Sequence, residues 1–223
     1  MDSEAPPPSD PKAQGGSPPP GLGPAALEPG RLVASAVPFY GVLFGLAWLW
    51  RSAWLGEPLL YASKEAAERG VDLGPDIAVG LLAGGVVIGL SHQLTANTRS
   101  GRALAQGLAG LLGPLGLGHI AILALLSGVA EEAFFRGALQ PRVGLVAASL
   151  VFGAVHYIPR PEFRLWTLFS VAAGFLLGFL FDATGNLVAP VVAHAAINGV
   201  NLTLLVRGSW SEEADPGDDD PGF

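Results

Sequence analysis

Not one of the 223 residues is a cysteine. That excludes disulfides, thiolate zinc sites and a cysteine nucleophile, and nothing points to an oxidising compartment. Charge is also scarce: Asp, Glu, Lys and Arg make up 14% of the chain, against about 25% in soluble domains. Half of the residues are hydrophobic and the mean hydropathy is +0.46, so the chain reads as a membrane protein. The formal net charge is -7, but much of that excess lies between Glu212 and Asp220 and says little about the core. No nucleic-acid partner is expected, and any chemistry has to run on carboxylates, imidazoles, amides or hydroxyls.

Residues 1–30 are rich in Pro, Gly, Ser and Ala, with too little large apolar surface to offset the entropy of ordering, and are expected to form a disordered tail. They lack a basic stretch followed directly by an apolar run and a cleavage site, so they do not read as a signal peptide. The acidic segment 208–223 is expected to be a second disordered tail. Between them, residues 31–207 form the membrane domain. About 19 residues between Arg31 and Arg51 carry no charge, close to the ~20 a helix needs to cross a ~30 Å hydrocarbon core, and Trp48 and Trp50 suit an interfacial anchor. Charges return from Arg51 to Asp76, with Lys64 and Glu68 at helical spacing in a surface helix.

The second uncharged run, 77–98, contains Gly80, Gly84, Gly85 and Gly89, small residues that let helices approach closely. Gly113-Pro114 divides the next apolar stretch: 103–112 is too short to cross and is expected to be interfacial or re-entrant, whereas 117–135 is expected to cross. Three further runs, 143–158, 165–181 and 187–206, bring the expectation to six spans. Backbone groups in lipid must be satisfied internally and no alternating pattern is present, so the fold class is all-α, a polytopic membrane helix bundle of about six transmembrane helices plus one interfacial or re-entrant helix. A slight excess of Lys and Arg on the N-terminal side favours a cytoplasmic N-terminus.

Ionisable groups in hydrocarbon are costly and point to function. Glu131 and Glu132 close the apolar run 120–130. Glu132 and Arg136 are four apart, the favourable order for an ion pair along one helix face, which turns Glu131 about 100° away and leaves it free to act on a water or a proton. Phe152 and His156 share a face in the next run. His194 and Asn198 share one in the last, among Ala193, Ala195, Ala196 and Gly199. Taken singly, each has a structural reading: a charged helix end, an interfacial histidine, an interhelical hydrogen bond. Together they place an acid, two imidazoles and an amide on three spans.

The ordered set Glu131-Glu132-Ala133-Phe134-Phe135-Arg136, then Phe152-Gly153-Ala154-Val155-His156, then His194-Ala195-Ala196-Ile197-Asn198 resembles the EExxxR, FxxxH and HxxxN motifs of the CPBP family. These are intramembrane endopeptidases that include type II CAAX prenyl proteases and bacteriocin-processing or immunity proteins. The resemblance covers residues 117–206. It implies a membrane-embedded peptidase in which Glu131 and His156 activate water and His194 and Asn198 hold the oxyanion, with Glu132, Arg136 and Phe152 as the supporting layer. The implied partners are the lipid bilayer and a protein or peptide substrate, and the implied location is multi-pass in a bacterial inner (plasma) membrane. The first 116 residues carry no motif and read as silent on substrate.

A metal reading uses nearly the same atoms, since Glu131, His156 and His194 could form a zinc site with an open position. HExxH is absent and Asn198 suits an oxyanion donor better than a zinc ligand, so the cofactor-free version is preferred. Ser127-Gly128 lacks the first glycine of a GxSG nucleophile motif, and no GxGD motif occurs. The stretch 116–121 imitates a dinucleotide fingerprint but precedes a membrane span. His92 and His119 have no motif partners and read as interfacial or packed. The reading from another class is a non-catalytic membrane adaptor or transporter that uses the buried polar residues to bind a ligand or proton.

Overall fold

A computed structural model describes residues 28 to 208. The expected tails lie outside these residues, except that Glu28 precedes helix α1, Pro29 and Gly30 already form its first turn, and Gly208 ends helix α8. The order is α1 (Pro29–Trp48), prolonged by a π-helical turn (Leu49–Trp54); α2 (Lys64–Arg69); α3 (Leu73–Asn97); α4 (Arg99–Leu112); α5 (Leu117–Glu132), prolonged by a π-helical stretch (Ala133–Leu139); α6 (Gln140–Val155); a 3-10 turn (Pro161–Phe163); α7 (Arg164–Thr184); and α8 (Val188–Arg207). Among the described residues there is no strand beyond an isolated bridge, Tyr61 to Asn186. The protein is a multi-pass integral membrane helix bundle.

Among the described residues five helices are long and apolar enough to cross a membrane, where six apolar runs had suggested about six spans. The difference lies in Leu117–Val155, 39 residues of near-continuous helix that would be about 58 Å long if straight, almost twice the hydrocarbon thickness. It is not straight. Gly144 has φ 81° and ψ 165°, a conformation that costs glycine little and other residues much, and the chain folds back there. Arg136 and Phe152, each eight residues from Gly144, meet with the guanidinium 4.5 Å from the ring centroid. The outgoing arm runs on past 135 through the π turns. The returning arm, 145–155, rises only about 16 Å, too little for the independent crossing expected of 143–158.

The interfacial helix was expected over 103–112. It begins earlier, at Arg99, because the Thr98 hydroxyl accepts from the Gly101 amide at 2.9 Å and caps the first turn. Gly113, with φ 66°, ends it before Pro114.

Small residues set the helix spacing, as expected in lipid, where close van der Waals contact replaces the hydrophobic drive. A Cβ on Gly80 of α3 would lie 2.6 Å from the Ala189 carbonyl oxygen of α8, and one on Gly128 of α5 would lie 3.2 Å from the Ala195 Cβ. Helix α8 is therefore held between α3 and α5. A Cβ on Gly174 of α7 would lie 3.0 Å from the Ser149 carbonyl of α6. At the end of the bundle that holds the hairpin tip, the Glu57 carboxylate binds Arg51 at 2.8 Å and also accepts from Arg142; Arg142's hydrogen bond holds the Glu57 carboxyl below the usual carboxylate range. The Asn186 amide donates to Asp76 at 2.8 Å, fastening the α7–α8 connection to the start of α3.

Gly80→Ala should destabilise the bundle by about 1–3 kcal/mol, because backbone rather than a flexible side chain must move. Gly85, five residues along the same helix, faces nothing within 4 Å, and Gly85→Ala should be neutral or slightly stabilising. Thermal unfolding of the two variants in detergent checks the contrast.

Candidate active site

Helix α5 and its π-helical extension carry four polar groups into the bundle: Ser127, Glu131, Glu132 and Arg136. π turns of this kind recur at functional sites. Glu132, 0% exposed, binds Arg136 Nε through Oε2 at 3.2 Å and His194 Nδ1 through Oε1 at 2.7 Å. Arg136, 1% exposed, also donates from Nη2 to the Gly174 carbonyl at 3.0 Å and lies over the Phe152 ring. One buried ion pair thus touches α5, α6, α7 and α8. A charge pair removed from water needs this density of partners, or its desolvation exceeds its attraction.

Glu131 points elsewhere. Its Oε1 accepts from the Tyr40 hydroxyl of α1 at 3.1 Å, and its Oε2 lies 3.7 Å from His156 Nε2. The His156 Nδ1 is 2.7 Å from the Phe152 carbonyl oxygen. A carbonyl only accepts, so Nδ1 carries a proton, and in the neutral ring Nε2 is left as an acceptor facing the carboxylate. On α8, Asn198 Nδ2 donates to Ser127 Oγ at 2.9 Å. Phe152 organises the rings, with centroids 4.6 Å from His156, 5.0 Å from Phe135 and 6.0 Å from His194.

All four residues singled out from the sequence, Glu131, His156, His194 and Asn198, line one cavity of about 610 Å³, together with Phe152. Glu132 and Arg136 stand behind its wall. Neither His92 nor His119 borders it. The remaining walls are mostly apolar, including Leu32, Phe39, Leu108 and Leu202. Two features differ from the sequence reading. His194 is not available to the cavity through both nitrogens, since Nδ1 is committed to Glu132. The first 116 residues are not silent, because α1 supplies Tyr40 and α4 supplies Leu108, Leu111 and Leu112 to the cavity.

Ser127 and Tyr40 were both missed as site residues. Ser127 had a readable signal, standing four before Glu131 on the same helix face. Tyr40 had only a polar tip in an otherwise apolar span. Among the described residues no three His, Cys, Asp or Glu side chains are placed to hold a metal ion, and the Nδ1 atoms of both site histidines are already engaged.

A membrane helix bundle with an acid, two imidazoles and an amide around an internal cavity defines the class. Residues 113–200 match the family described as "Type II CAAX prenyl endopeptidase Rce1-like". A stretch of 82 residues is 44% identical to the protein YpbD of Bacillus subtilis (strain 168), described as uncharacterized; the match spans 37% of this chain and 43% of that one. The chain therefore covers less than half the length of this curated relative. No solved structure matches it.

Arg136→Met should destabilise the protein by about 3–5 kcal/mol, since it leaves Glu132 buried and short of a cation. Adding Glu132→Gln should recover part of the loss. Unfolding of the single and double variants in detergent measures the coupling.

Proposed function

We propose that the protein is an intramembrane endopeptidase that hydrolyses a peptide bond of a membrane-associated protein substrate with a water activated by Glu131 and His156. The observation that carries the proposal is the pairing of two acceptors, Glu131 Oε2 and His156 Nε2, 3.7 Å apart at the cavity wall. One water donating a hydrogen to each satisfies both and turns its own lone pairs toward a substrate carbonyl carbon. Nucleophile orientation and general-base catalysis then come from one geometry.

In the reaction the water oxygen bonds to the carbonyl carbon, its proton passes to Glu131, and the carbonyl oxygen becomes an oxyanion. Asn198 Nδ2 has a second hydrogen beyond the one given to Ser127 and donates it there. His194 needs both ring nitrogens protonated to donate from Nε2 while Nδ1–H is held by Glu132. Such fixed donors contribute several kcal/mol to stabilising the developing charge. Collapse of the intermediate breaks the C–N bond, and the proton taken up by Glu131 passes to the leaving amine. The residues drive these steps without a cofactor. Glu132 and Arg136 hold the helices at the required spacing.

The substrate is expected to present an uncharged, extended segment, because the cavity walls are apolar and the cavity's only carboxylate is the base. An adaptor or transporter could use buried polar groups too, but would gain nothing from two acceptors aimed at a single water.

Glu131→Gln should reduce processing by about 10²–10⁴-fold while leaving membrane abundance unchanged. Comparative proteomics of membranes from cells with wild-type or Glu131→Gln protein should show an uncleaved precursor in the variant alone. Equal precursor levels in both would refute the hydrolytic reading. Cleavage of that precursor by the purified protein should persist in the presence of a chelator.

A further inference from the structure

We infer that Tyr40, on a helix outside the family-matched segment 113–200, is a positioning residue that holds the Glu131 carboxylate with Oε2 turned toward His156. The inference rests on the reading of Glu131 as the base.

Among the hydrogen bonds of the described residues, Glu131 accepts from a single side chain, the Tyr40 hydroxyl at Oε1, 3.1 Å away. Its Oε2 is buried and has no hydrogen-bond partner in the protein, and this is the oxygen 3.7 Å from His156 Nε2. A glutamate side chain has three rotatable bonds, and its two oxygens are equivalent until the surroundings distinguish them. Neither of the nearby basic side chains does so: Arg136 is engaged by Glu132, and His194 is bonded to the same neighbour. The distinction comes from α1, 91 residues away in sequence. A phenol held at Oε1 fixes the rotation of the carboxylate and leaves the other oxygen turned toward His156. Both Tyr40 and Glu131 line the cavity, so the contact lies at the reacting end and not behind it.

A phenol suits this position. Its ring extends the apolar wall begun by Leu32, Ala36 and Phe39 on the same helix, while its hydroxyl reaches the carboxylate. Tyr40→Phe keeps the wall and removes the donor, which separates positioning from packing.

The precursor that accumulates with Glu131→Gln serves as the probe. In a pulse–chase with the full chain, Tyr40→Phe should slow its processing about tenfold, the size expected for one hydrogen bond to a charged group. Membrane abundance of Tyr40→Phe should match the wild type. Capture of the uncleaved precursor should be the same for the Glu131→Gln trap and for a trap carrying both substitutions. Wild-type processing by Tyr40→Phe overturns the assignment and leaves Glu131 as the base. Loss of capture by the double variant, or loss of Tyr40→Phe protein from the membrane, makes Tyr40 a binding or packing residue and overturns it equally. If no precursor accumulates with Glu131→Gln, the reading of Glu131 itself fails, and this inference with it.

Discussion

The buried contact between Glu132 and Arg136 is the constraint around which the bundle is arranged. Neither group reaches solvent, so each must find its remaining partners inside the protein, and those partners fix the neighbouring helices. Arg136 requires the Gly174 carbonyl of α7 and the Phe152 face of α6, while Glu132 requires His194 of α8. The carbonyl of Gly174 can be reached because a glycine there lets α6 and α7 approach closely. An unpaired ion in this position would cost several kcal/mol. Arrangements that separate these helices are penalised accordingly.

From that anchor the geometry of the candidate site follows with few further choices. Adjacent positions on a helix point about 100° apart, so fastening Glu132 outward to α8 directs Glu131 toward the cavity. The hairpin at Gly144 brings Phe152 back against Arg136 and sets His156, four residues on, level with Glu131. The Phe152 carbonyl then fixes the imidazole tautomer. Structure and reactivity are linked through one residue, since the Phe152 ring lies against the ion pair while its backbone oxygen orients the histidine that borders the cavity.

Much of the site was legible because its signals are local. Glu132 and Arg136, Phe152 and His156, and His194 and Asn198 are each four residues apart, and helical periodicity alone assigns each pair to one face. The pairings between helices were not legible. Glu132 and His194 are 62 residues apart, and their bond commits one ring nitrogen of a residue read as an oxyanion donor to a buried network. Tyr40 has no spacing relation to any motif, and only the packing of α1 on α5 brings its hydroxyl to Glu131. The reversal at Gly144 was not legible for a related reason: an apolar run of suitable length does not reveal that its neighbour runs on through π turns and turns back at one glycine.

The amino-acid order by itself settled the membrane solvent, the helical class and the identity of the polar residues, because hydropathy and the 3.6-residue period are properties of short stretches of chain. It also settled the absence of thiol chemistry. The tertiary structure alone decided which oxygen of Glu131 faces His156, which nitrogen of His194 remains for the cavity, and how far the hairpin returns. These depend on distances between segments remote in sequence, and in a low-dielectric interior a shift of an ångström in such distances determines whether a polar group is satisfied or stranded.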